Sequence, residues 1–343
     1  MKRAGKQTLI FQNPPAILSS SAVVGPKEGE GPLKKTFDLV MKDTLCGEKS
    51  WEKAECKILQ EAVKIALNKV DLKPEQVDFL LAGDLLNQTI SANYAARQLA
   101  IPFLGLYGAC STMIESMILG SVLVDGGYAD TVVAAASSHH DTAERQYRFP
   151  SELGVQRPLT AQWTVTGAGA CLIAKGSGGP RITSATIGKV IDLGIKDQND
   201  MGSAMAPAAV DTITQHFQDT GHSMDDFDLI ITGDLASLGK ALAQQLLERQ
   251  GYLPGDKYSD CGILIFDPTQ DTHAGGSGCA CSAVVTCGYL MQNIRSGRYK
   301  RMMVIGTGAL LSPVSLLQGE SIPGIAHGIV IENENGYRDQ KEM

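Results

Sequence analysis

The chain has 343 residues, 43% hydrophobic and 20% charged, the balance of a folded protein with a sizeable core. At roughly 100–200 residues per domain it has room for two domains or one duplicated unit. A net charge of −7 argues against a protein that coats nucleic acid, which needs a basic face, and no apolar run approaches the ~20 residues that span a bilayer.

The opening MKRAGKQTLIFQNPP carries basic residues but only a short apolar run, which is not a secretory pattern. Eight cysteines are then read as free thiols of a reducing compartment. Cys279, Cys281 and Cys287 lack the nearby histidine pair that would make them a zinc pattern, so no metal site is expected. The first element is a helix over Trp51 to Val70, with apolar residues at three- and four-residue spacing. Asp78 to Leu85 reads as an apolar strand ending in a Gly83-Asp84 loop. The turn Gly108-Ala109-Cys110-Ser111 precedes a helical run from Met113 to Val124, then Gly127-Tyr128 and a strand over Thr131 to Ala136. His139 and His140 follow, with Asp141 and Glu144 nearby, and Arg145, Arg148 and Arg157 form a loosely spaced basic group. Adjacent histidines diverge, so this stretch is read as a polar rim from which His139 can reach a ligand.

Gly167 to Ala174 reads as a buried strand, and the turn-rich Lys175-Gly176-Ser177-Gly178-Gly179-Pro180 marks a boundary between a first half, 1–176, and a second, 177–343. Beyond it a strand is expected over Arg181 to Val190, and helices over Ser203 to Asp219 and Ser237 to Gly251. The second half repeats the first. Asp228 to Leu235 reproduces Asp78 to Leu85 with conservative changes, placing Asp234 where Asp84 stands. Cys279-Ala280-Cys281-Ser282 precedes a helix-like run, Val284 to Ile294, then Tyr299 and a strand over Met302 to Ile305. Cys281 follows Cys110 by 171 positions (281 − 110) and Tyr299 follows Tyr128 by the same interval (299 − 128). Asp234 follows Asp84 by only 150 (234 − 84), so the second half holds about 21 extra residues between its matched blocks. The polar tail from Asn333 to Met343 is expected to fray. Strands alternating with helices in two related halves predict a layered α/β protein.

These residues resemble the thiolase superfamily. Gly108-Ala109-Cys110-Ser111 is similar to its nucleophile turn, Thr164 to Ala170 to the glycine-rich entry into the last strand of the first half, and Pro323 to Gly328 to its closing loop. The resemblance implies a thiolase-like duplicated fold, two pseudo-symmetric halves in an α-β-α-β-α sandwich. A closer resemblance is to the stage V sporulation protein AD family. It rests on Gly83 to Gln88, Gly108 to Thr112, Asp200 to Pro207, Gly275 to Val285 and Ile322 to Gly328. That resemblance implies binding of dipicolinic acid, free or as its calcium chelate, for uptake through a membrane channel. It further implies sporulation channel proteins at the spore inner membrane as partners, peripheral association there, a homodimer, and no cofactor.

Against the condensing enzymes of the superfamily, the catalytic set is incomplete. Their histidine follows the strand that corresponds to Leu229 to Thr232, where this chain has Gly233 and Asp234, and their asparagine falls near Gly276 or Ser277. A carboxylate repels an oxyanion, so no catalytic residues are expected. His327 in the closing loop either packs near the last strand or serves as a base. A dicarboxylate needs cations or N–H groups at both ends and flat apolar walls. The helix start after Cys110 offers N–H groups, and Lys189 and Lys196 are either a second anchor or solvated surface. Asp84, Asp192 and Asp234 are read as calcium ligands, as acceptors for a protonated ligand, or as turn caps, with capping favoured for Asp84. Three readings remain open: a non-enzymatic carrier, an acyltransferase using Cys110, and a scaffold with a vestigial pocket.

Overall fold

A computed structural model describes residues 2–148 and 157–334. Of the polar tail expected from Asn333 to Met343, the part beyond Glu334 lies outside the described residues. In chain order the main elements of the first half are β1 (Ala16–Val24), α1 (Trp51–Asn68), β2 (Phe79–Gly83), α2 (Ile90–Leu99), β3 (Phe103–Gly105), α3 (Thr112–Asp125), β4 (Thr131–Ser138), α4 (His140–Tyr147) and β5 (Gly167–Ala174). Those of the second are β6 (Arg181–Thr186), α5 (Met201–Thr220), β7 (Leu229–Thr232), α6 (Ala236–Arg249), β8 (Tyr258–Asp260), α7 (Cys279–Val284), β9 (Arg301–Ala309) and β10 (Gly324–Glu332).

The repeat seen in the sequence is a repeat of topology. Strands run β3-β2-β4-β5-β1 in the first half and β8-β7-β9-β10-β6 in the second. In each, the first two pairings in that order are parallel and the last two antiparallel. The two five-stranded sets join where Ala16 of β1 pairs with Arg181 of β6. Helices α1 and α2 cover the outer face of the first sheet, α5 and α6 that of the second, and α3 and α7 lie between the sheets. The five layers follow from composition: α1 buries one apolar stripe, whereas α3 is buried around most of its circumference, as a central helix must be. Its Ser116 and Ser121 hydroxyls are satisfied by donating to the carbonyls of Thr112 and Met117.

Several boundaries differ from the sequence reading. The strand expected over Arg181 to Val190 ends at Thr186, because Gly188 donates its N–H to His327 Nδ1 and Ile191 leaves to bridge Gly324. The helix expected over Val284 to Ile294 starts earlier, at Cys279, where Gly278 turns the chain at φ +96°. It then widens into a π-helical turn over Val285–Leu290 before Met291–Arg295 completes it; within that turn a Cβ on Gly288 would stand 2.8 Å from Thr36 O. Strands β4 and β9 run on to Ser138 and Ala309, carrying the chain to the rim of the central layer. The extra residues of the second half hold the short helix Cys261–Leu264 and the loop that leads to Gly276–Ser277, which pairs in parallel with Trp163–Thr164.

Candidate ligand site

Cys110 sits two residues ahead of α3 in a tight bend that Ala109 makes at φ +50°. Local bonds fix the bend: Ser111 Oγ donates to Gly108 O (2.7 Å), and Thr112 Oγ1 to Ala109 O (2.6 Å). The second half fixes it from the other side. Cys279 Sγ donates to Ala109 O (3.0 Å), and a Cβ on Gly308 of β9 would stand 2.5 Å from Gly108 O, so only a glycine there lets the strand approach. The N–H groups of Ser111 and Thr112 donate to Gly108 O and Ala109 O. The helix start therefore does not offer those two donors to a ligand, contrary to the sequence reading.

Beneath Cys110 lies Asp234, fully buried. Thr307 Oγ1 donates to its carboxylate (2.6 Å), as do Ser277 Oγ (3.0 Å) and Gly278 N (3.0 Å). Burial raises the Asp234 carboxyl above its ordinary range against the pull of those donors. The same burial, with the Asp234 charge and Cys279 beside it, holds the Cys110 thiol well above its ordinary value. A second buried carboxyl, Asp260, accepts from Leu235 N, Ala236 N, Gly262 N and Thr232 Oγ1, and burial pushes it up to about 7. The site is a neutral thiol resting on buried acids.

Above the thiol opens a cleft of about 570 Å³, part of it continuous with solvent. Ala109, Cys110 and Ser277 form its floor; Tyr107, Tyr147, Leu85 and Ala143 form one wall. Met201, Ala309 and Leu311 of the second half close the opposite side, and Thr164, Gln198, Glu144 and Arg148 supply polar groups. The tyrosine hydroxyls hydrogen-bond each other at 3.0 Å, and Tyr147 also donates to Leu85 O, which fixes both rings.

Of the residues singled out in the sequence, the structure brings together Cys110, Asp234 and Ser277. The others lie elsewhere. Asp84 is buried and its carboxylate accepts from Leu86 N and Ala92 N at 2.7 Å each, so it pins the loop to α2 as a cap does. His139 caps α4 through Nδ1 (from Asp141 N, 3.2 Å), and its Nε2 meets Thr44 O at 2.7 Å; it is fully buried rather than at a rim. His327 accepts from Gly188 N and is lowered by burial to about 4, so it is a neutral strand residue away from the cleft lining. Lys189 pairs with Asp211 (3.1 Å), Lys196 donates to Gly319 O (2.6 Å), and Asp192 accepts from Ser321 Oγ and Gly194 N. These three belong to an outer loop held by its neighbours. The sequence reading missed Tyr107, Tyr147 and Gln198 as lining residues, gave Glu144 only as part of the polar rim stretch, and gave Arg148 only as part of a loose basic group.

Comparison with known proteins bears on this geometry. A family model described as Stage V sporulation protein AD matches residues 5–332. The chain is 53% identical over 336 residues to Stage V sporulation protein AD of Bacillus subtilis (strain 168), covering 98% of this chain and 99% of that one. Among solved structures it resembles 3-oxoacyl-[acyl-carrier-protein] synthase III from Aquifex aeolicus VF5 (TM-score 0.57, 13% identity, 93% of this chain and 99% of that one). It also resembles Xanthomonas campestris OleA with bound lauric acid and lauroyl-CoA (TM-score 0.62, 15% identity, 94% and 100%). At such identities these structures speak to the fold alone, which is thiolase-like. The chain belongs to the stage V sporulation protein AD family.

Proposed function

We propose that the chain is a non-enzymatic carrier that binds dipicolinic acid, free or as its calcium chelate, in the cleft above Cys110 and delivers it to a membrane channel during sporulation. The observation that carries this reading is the burial of Cys110 beside the fully buried Asp234. Burial and the neighbouring Asp234 charge hold the thiol well above its ordinary value, whereas acyl transfer needs a thiolate activated by a base. The cleft has two tyrosines on one wall and a guanidinium among its polar groups, which suits a flat anionic ring. Delivery implies channel proteins at the spore inner membrane as partners and a chain bound there peripherally, since no helix among the described residues is long and apolar enough to cross. Pairing of two copies, as in related folds, belongs to the same reading.

Calorimetric titration with dipicolinate, with and without calcium, tests it. The expected result is saturable one-site binding that Cys110→Trp, which fills the floor, removes. A mass shift at Cys110 after exposure to an acyl-CoA would instead favour a transferase, and absence of any heat would favour a scaffold.

A further inference from the structure

The floor of the cleft is hostile to anions, with the Asp234 carboxylate under the thiol and the Ser111 and Thr112 N–H groups turned to backbone carbonyls. A carboxylate ligand must find its counter-charge higher up. Arg148 is the cation among the described residues that line the cleft. Its side chain is 13% exposed and its partners are slack: Nη1 stands 3.5 Å from Glu144 Oε2, and Nη2 stands 3.5 Å from Gln162 O. A settled guanidinium–carboxylate pair closes to roughly 2.7–2.9 Å. The neighbouring cations are committed elsewhere. Arg157 holds Asp271 (2.8 Å) and Lys27 donates to Gln270 O (2.6 Å), both over the ring of Trp163, while Arg145 pairs with Glu52. Glu144 is itself a lining residue, its side chain 19% exposed, one helical turn before Arg148.

We propose that Arg148 anchors a carboxylate of the ligand and that Glu144 is its resident competitor, so that the cleft fills by exchanging an internal carboxylate for one the ligand brings. This rests on the reading of the cleft as a dipicolinate site. The loose i,i+4 contact keeps the guanidinium oriented and partly neutralised while the cleft is empty. A planar carboxylate arriving from solvent meets the guanidinium fork edge-on and makes two bonds where Glu144 makes one long contact.

The test is titration of the intact chain with dipicolinate, comparing wild type with R148Q, R148K and E144Q, each checked by its melting temperature. R148Q is expected to weaken binding about tenfold or more, as loss of a charged hydrogen-bond partner does. R148K is expected to fall between the two, because an ammonium keeps the charge and loses the fork. E144Q is expected to tighten binding, about three- to tenfold at low salt, with the gain shrinking as salt screens it. Binding by R148Q at wild-type affinity, or weaker binding by E144Q with an unchanged melting temperature, would overturn the proposal while leaving the carrier reading intact. A wild type that does not bind dipicolinate overturns both.

Discussion

Cys110 has half of what an activated cysteine needs. It stands ahead of a helix start, whose partial positive charge favours a thiolate, but it is buried, faces Asp234, and lies beside Cys279. Desolvation and negative neighbours both favour the neutral thiol, and they outweigh a dipole term of order 0.5 charge. Another buried acid shows the same physics in a testable form. Glu28 is buried, accepts from Thr166 N through Oε1 (2.9 Å), and has no hydrogen-bond partner at Oε2; burial pushes it up to about 7. Between its ordinary 4.5 and 7 the fold therefore holds a proton that the unfolded chain has lost. The stability this gives is complete below 4.5 and is lost as pH climbs through 7. Glu28→Gln keeps the acceptor without the charge, so it should melt close to wild type at pH 5 and above it at pH 8, by about 1–3 kcal/mol. A difference that does not change with pH would contradict this. Cys110, Asp234 and Ser277 were legible in the sequence because a motif places them. Lys189 and Lys196 were not, since a positive charge in a loop says nothing of whether the loop faces a cleft or a neighbouring loop.

At the scale of elements, the glycines of β9 do most to set the site. Gly306 brings the strand against Ile114, and Gly308 brings it against Gly108 O and Ser111 N, so one strand of the second half braces the Cys110 turn of the first. Gly308→Ala would place a methyl group 2.5 Å from that carbonyl, where backbone must move. The expected cost is about 1–3 kcal/mol, as for other overpacked positions, together with weaker dipicolinate binding in the same variant. Wild-type melting and wild-type affinity would show that the brace is not needed. The helices and strands themselves were legible from apolar periodicity, which reports burial. The π-helical turn at Val285–Leu290 and the early end of β6 were not, because both answer to contacts with residues far away in sequence, Thr36 in one case and His327 and Gly324 in the other.

At the scale of the molecule, duplication explains why the cleft lies where it does. The two sheets share the central helices α3 and α7, so the halves pack on one common core rather than on a separable interface. The cleft draws its thiol and tyrosines from the first half, and its buried acid and Met201, Ala309 and Leu311 from the second. The repeat that could be read from the spacing of Cys110 and Cys281 thus locates the site only in outline, since the two copies have diverged. Cys110 faces the cleft, whereas Cys281 is fully buried with its thiol on Gly233 O. The most direct test of a carrier built on this fold is the crystal structure of the chain with dipicolinate. The ring is predicted against Tyr107 and Tyr147 above an unmodified Cys110, with one carboxylate on the Arg148 guanidinium. Dipicolinate seated outside this cleft, or a covalent adduct on the Cys110 sulfur, would contradict the account.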